Sequence, residues 1–169
     1  MRPARSSFNT RVTLQVRSDW RAVISRSVTS TVIAAGVDGA YGVDKIGVLM
    51  EVINRNAVAA FLGPDGATIR ELAASRNSSA RKQSLAEASI PVGGTVIEHF
   101  HRTTEEFYYI LSGTGRMKIE GEEREVGPGD TVIIVPGQRH KITNNGQVPL
   151  VLLACCSPEW TAEDNILVE

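Results

Sequence analysis

From Gln83 onward, apolar and polar residues alternate with a period of two, the signature of strands with one buried face. The pattern predicts strands over 85–90, 95–101, 107–111, 115–120, 123–126, 131–135, 140–143 and 150–156. Turn-forming residues close nearly all of them: Pro91, Gly113, Gly121, Gly127-Pro128-Gly129, Pro136-Gly137 and Asn145-Gly146. Strands spaced by roughly 8–12 residues with such breaks indicate an antiparallel all-β sandwich or barrel with little helix. The closing stretch, 157–167, is expected to return over the surface.

Upstream of Gln83 the signal weakens. Val52, Ile53, Val58 and Phe61 suggest a short strand and then a helical turn. Gly63-Pro64-Asp65-Gly66 is a turn by its residue chemistry, 68–74 is a short apolar–polar segment, and Arg76 to Lys82 reads as a loop. The first 49 residues differ in kind, being rich in Arg, Ser and Thr with brief apolar patches at 12–16 and 28–37. Those patches are too short for the core of a secretory signal. Residues 1–49 are expected to be an N-terminal extension (an arm, a leader, or extra strands pairing with a neighbouring subunit), with one domain over 50–169.

Composition narrows the partners. The chain has 169 residues, 42% hydrophobic, with 18 Lys and Arg against 19 Asp and Glu for a net charge of -1. That balance gives no reason to expect nucleic acid or an anionic membrane. No run reaches the ~18–20 apolar residues of a membrane span. The charge is uneven, however. Residues 1–49 hold seven basic and three acidic residues, leaving 11 basic and 16 acidic for the rest. The two cysteines, Cys155 and Cys156, are adjacent and cannot staple distant segments. A reducing, cytoplasmic setting follows as the expectation.

All three histidines lie in one stretch: His99, His101 and His140. On a strand, His99 and His101 point the same way, about 6–7 Å apart at their Cα atoms. Glu106 follows the short turn Arg102-Thr103-Thr104 and is expected on the neighbouring strand, and His140 opens a further strand after Pro136-Gly137. Three imidazoles and a carboxylate suit one divalent first-row ion such as Mn, Fe, Co, Ni, Cu or Zn. Six-coordination would leave two positions for water, dioxygen or substrate.

The spacing Gly93-x5-His99-x-His101-x4-Glu106-x6-Gly113 resembles the first cupin motif throughout. Gly129-Asp130 through Pro136-Gly137-Gln138-Arg139-His140-x3-Asn144 resembles the second, except that Val135 stands where the motif's proline is expected. The resemblance covers 50–169, with motifs at 93–113 and 129–144. It implies a small single-domain metal-binding cupin of the conserved-barrel type: an RmlC-like antiparallel jelly-roll β-barrel with the metal inside one open end. It also implies a homodimer, formed through strands such as those expected over 50–72.

Around this cluster, Tyr108 shares the inward face of Glu106 and is a candidate for orienting substrate. Phe107 and Tyr109 face the other way, toward a sheet or dimer interface. One of Cys155 and Cys156 faces inward, and Cys155, Arg102, Gln138 and Arg139 are candidates for contacting substrate near the mouth. The resemblance leaves two functions open. One is an enzyme acting on a small oxygenated organic substrate as a dioxygenase, decarboxylase, isomerase or cyclase. The other is a non-catalytic protein that binds a small ligand or stores metal.

Overall fold

Two antiparallel sheets face each other in the computed structural model, which describes residues 50–168. The expectations for residues 1–49 fall outside the described residues. In chain order the strands are β1 (Phe61–Leu62), β2 (Thr68–Ala73), β3 (Ser84–Ile90), β4 (His99–His101), β5 (Glu105–Ser112) and β6 (Gly115–Ile119). Then come β7 (Glu122–Val126), β8 (Thr131–Ile134), β9 (His140–Thr143), β10 (Leu150–Ser157) and β11 (Asn165–Leu167). Their spatial order is β1-β2-β3-β10-β5-β8 in one sheet and β11-β4-β9-β6-β7 in the other. From β3 onward the chain changes sheet at every connection except β6 to β7, which makes the jelly roll.

Period-two alternation sets which residues are enclosed. Along β5, Glu106, Tyr108 and Ile110 are buried while Phe107, Tyr109 and Leu111 remain exposed. The enclosed apolar residues form one core, with Ile90, Ile110, Ile134, Ile142, Leu150 and Leu152 almost wholly removed from water. Each contributes roughly 1.5–3 kcal/mol by that burial. Helix is nearly absent among the described residues, where a short 3₁₀ turn over Arg55–Ala57 is capped by the Asn54 side chain. No helix there is long and apolar enough to cross a membrane.

Four local expectations change. No strand forms over 50–54, where Val52 is 79% exposed. The chain is anchored instead through Arg55, whose Nε and Nη2 donate to Glu87 at 2.8 and 2.5 Å. The strand expected over 95–101 shrinks to β4, because Ile97 gives its N–H to the carbonyl of Asp65 in the 63–66 turn rather than to a ladder. The closing stretch contributes β11, which pairs Asn165 with His101 and Leu167 with His99. Lastly, Glu106 is not on a strand beside the histidines. The turn after β4 carries the chain into the opposite sheet, so Glu106 faces them across the interior.

Candidate metal centre

His99 and His101 project inward from β4, and His140 projects inward from the start of β9, where it pairs directly with His99. The His99 and His140 ring centroids are 4.2 Å apart. Glu106 closes the group from the other sheet. One ligand atom from each residue lies within 4.8 Å of all the others, and all four residues are buried. Pairing across the fold sets this geometry, rather than any local turn. Three nitrogens come from one sheet and the carboxylate comes from the other.

Hydrogen bonds fix the ring orientations. His99 Nδ1 lies 2.7 Å from the Ile97 carbonyl, and His140 Nδ1 lies 2.9 Å from the Gln138 carbonyl. A carbonyl only accepts, so each Nδ1 carries the hydrogen and each neutral ring keeps its Nε2 lone pair. His101 presents Nε2 at 3.2 Å from Glu106 Oε2, with its Nδ1 3.9 Å from Asp164 Oδ2. Asp164 is in turn held by the backbone N–H groups of Thr103 and Thr104. The carbonyls behind His99 and His140 orient those rings as is common for ligating imidazoles, whereas His101 Nδ1 is buried without a hydrogen-bond partner and has only the charge of Asp164 behind it.

The donor set fits a cation. His140 Nε2 is buried with no hydrogen-bond partner and stands 3.4 Å from Glu106 Oε2. Two acceptors held that close in an apolar interior are unfavourable without positive charge between them. Burial holds the His99 imidazole down at about 4, helped by the nearby His140, so it is neutral and ligand-ready at pH 7. Burial pushes Glu106 upward, but the hydrogen-bond contact with His101 and the positive charge the neighbouring imidazoles can carry outweigh it. The carboxyl rests at about 2 and is ionised.

Beside the four residues is a cavity of about 80 Å³. Tyr108 lines it, buried, with its phenol pushed well up by burial and then by the charge of Glu106, so the hydroxyl keeps its proton. Cys156 lines it too and donates from Sγ to Glu106 Oε1 at 3.3 Å. Its thiol is pushed up by burial and by Glu106, which makes it a donor rather than a nucleophile. Cys155 alternates to the other face of β10 and is not on the lining. Arg102 and Arg139 are exposed and do not line the cavity. Gln138 turns its side chain back to the Val135 N–H at 3.1 Å, and it acts on the site through the carbonyl that holds His140.

Two acidic residues at the site escaped the sequence reading. Asp65, taken only for a turn residue, lines the cavity, and burial raises its carboxyl above the usual range. Asp164 stands behind His101. Neither sits in a periodic segment, and only the Ile97–Asp65 bond and the β11 pairing bring them in.

A family model described as "Cupin domain" matches residues 86–156. An uncharacterized protein of Methanocaldococcus jannaschii is 46% identical over 109 residues, covering 64% of this chain and 87% of that one. The tetracenomycin polyketide synthase protein TcmJ of Streptomyces glaucescens is 28% identical over 93 residues, 55% of this chain and 62% of the relative. The crystal structure of the polyketide cyclase RemF from Streptomyces resistomycificus aligns with a TM-score of 0.59 at 26% identity, covering 69% of this chain and 89% of that one.

Proposed function

The chain belongs to the cupin domain family, and on that premise we propose a metal-dependent enzyme acting on a small oxygenated organic substrate in the cavity. The carrying observation is the lone-pair-bearing, unpartnered Nε2 of His140 against Glu106 Oε2, with Glu106 itself on the wall of the cavity. His99, His101, Glu106 and His140 would hold one divalent ion of Mn, Fe, Co, Ni, Cu or Zn. Such an ion supplies Lewis acidity toward a substrate oxygen or, if redox-active, dioxygen chemistry.

The chain's own residues would do the rest. Tyr108 keeps its proton and can donate a hydrogen bond to a substrate oxygen. Asp65, with its raised carboxyl, is the cavity group best suited to take and return a proton. Ala88, Ile90 and Leu152 give the space apolar walls that exclude bulk water. Arg102, Gln138 and Arg139 could contact only parts of a substrate reaching beyond the cavity, and Cys155, on the outer face of β10, has no place in this reading. The similarity to TcmJ and RemF, both named for polyketide chemistry, favours cyclisation of an enolisable or phenolic substrate over dioxygenase, decarboxylase or isomerase chemistry.

The second reading, a ligand-binding or metal-storage protein, uses the same four ligands. Tyr108 and Asp65 turned into the cavity favour catalysis, since storage needs neither. The test is to load the protein with each ion in turn and present enolisable diketones, phenols and small acids, following product and oxygen consumption. Metal-dependent product that disappears in His140→Ala supports the enzyme. Binding without product across the panel transfers the assignment to the second reading, and failure to bind any ion removes both.

A homodimer belongs to the same proposal. Phe107, Tyr109, Leu111, Ile133 and Val135 expose an apolar outer face on β5, β8 and the residue after β8, where a second copy would cover them. Sedimentation should give twice the chain mass, and Ile133→Lys should shift it toward the monomer.

A further inference from the structure

The cavity has a second polar end. Four residues stand in one row across the six-stranded sheet: Glu71 pairs with Ala86, Ala86 with Ala154, and Ala154 with Tyr108. Directly paired residues of antiparallel strands share a face, and all four line the cavity. Ala86 and Ala154 leave an open floor between the outer two. Tyr108 and the histidine–glutamate cluster stand at one end and Glu71 at the other, three strand spacings or roughly 14 Å apart at the Cα level.

Glu71 is an unusual residue to enclose. It is 9% exposed, and its Oε1 is buried with no hydrogen-bond partner among the described residues. The other oxygen, Oε2, accepts from Arg76, whose guanidinium also lies over the Trp160 ring. A buried carboxylate with one oxygen satisfied and one bare costs stability. A solely structural ion pair at this position would gain by turning both oxygens toward Arg76 in the usual two-pronged fashion. The bare oxygen instead belongs to a residue that lines the ligand space.

We propose that Glu71 is the second anchoring point of the cavity, accepting a hydrogen bond through Oε1 from a hydroxyl or N–H on the ligand end farther from the histidines. The ligand class is thereby sharpened: a compact molecule with an oxygen at one end for the metal centre and a donor at the other. Arg76 holds the carboxylate in place and opposes the upward push that burial gives it. This inference rests on the cavity being the ligand site, but not on an ion being bound.

The test uses full-length protein, metal-free and zinc-loaded in parallel, so a failure of metal binding is seen separately from a failure at Glu71. The probes are 4-ethylphenol and 4-hydroxybenzyl alcohol, which match in size and differ by a terminal methyl against a terminal hydroxyl. Titration calorimetry should show wild type binding the alcohol more tightly. Glu71→Leu should reverse that order, changing the ratio of the two affinities about tenfold or more. Equal changes toward both probes, or no binding of either at millimolar concentration, overturn the proposal.

A second readout needs no ligand. Removing an incompletely satisfied buried carboxylate, while Arg76 at 34% side-chain exposure turns to water, should raise the ligand-free melting temperature of Glu71→Leu by roughly 2–4 °C. A fall of that size instead assigns Glu71 to structure and overturns its role as an anchor.

Discussion

His140 Nε2 and Glu106 Oε2 stand 3.4 Å apart, and the bond from His140 Nδ1 to the Gln138 carbonyl makes both of them acceptors when the ring is neutral. A divalent cation relieves that opposition and converts a liability into binding energy. Metal should therefore stabilise the fold. At a concentration 100 times the dissociation constant, linkage supplies about 2.7 kcal/mol, which corresponds to roughly 5–10 °C in melting temperature for a chain of this size. In His140→Ala most of that metal-induced shift should be lost, whatever the variant's own starting stability. A shift of undiminished size, read by calorimetry with and without metal, would show that His140 is not a ligand.

Acid should weaken the metal-free protein in two steps. His99 has its folded value depressed to about 4 from an ordinary 6.5 by burial. The unfolded chain then binds more protons between those values, so stability is full above about pH 6.5 and falls as pH drops toward 4. The loss from this group is about 3 kcal/mol. Glu106, held at about 2 against an ordinary 4.5, adds a further loss from pH 4.5 down to 2. Denaturant melts across pH 7 to 3 should trace this descent. A stability that is flat from pH 6.5 to 4 contradicts the buried neutral state of His99.

The cysteines should respond differently to alkylation. Cys156 is 3% exposed and gives its proton's hydrogen bond to Glu106, whereas Cys155 is half-buried. Iodoacetamide on the folded protein should label Cys155 well ahead of Cys156, as read by peptide mass spectrometry, with both labelled after denaturation. Cys156→Ala should leave the fold intact yet weaken metal binding roughly 10-fold or more, because it removes the partner that steadies the ligand carboxylate.

Two positions fix the barrel without belonging to the histidine–glutamate cluster. Asn144 is wholly buried, donating from Nδ2 to the Ile90 and Val148 carbonyls at 2.9 Å each and accepting from the Gly146 N–H at 3.0 Å. Asn144→Ala should cost about 2–4 kcal/mol by stranding those groups. Gly113 has a φ of +78°, and a Cβ there would come within 2.6 Å of the Pro149 carbonyl oxygen. Gly113→Ala should destabilise by about 1–3 kcal/mol for the strained backbone alone. Denaturant midpoints measure both.

Most strands after Gln83 were legible because they alternate with a clear period and end at turn-forming residues, whereas 95–101 was read too long and β11 was not read as a strand. The four-residue cluster was legible because those residues sit at fixed spacings on such strands. What stayed hidden has a physical reason in each case. The exposed Val52 and Ile53 resemble strand residues, and only the Arg55–Glu87 pairing shows that this stretch is held by an ion pair. Sequence spacing could not tell whether the turn after His101 keeps Glu106 in the same sheet or crosses to the other. Alternation put one cysteine inside without saying which, and the register of β10 against β5, Cys156 opposite Glu106, decides it. Asp65 and Glu71 become site residues through the cavity they share with partners far along the chain.

β4 is a narrow support for two histidines, three residues long and joined to β9 by the single pair His99–His140. Its other side is held entirely by β11, synthesised long after it. During translation the barrel wall can therefore assemble before the strand bearing His99 and His101 has both its neighbours. The centre is finished late, by contacts of high sequence separation that close slowly. An ion arriving early would meet an incomplete grip, so maturation of the site is coupled to the docking of β11 rather than to folding of the strands before it.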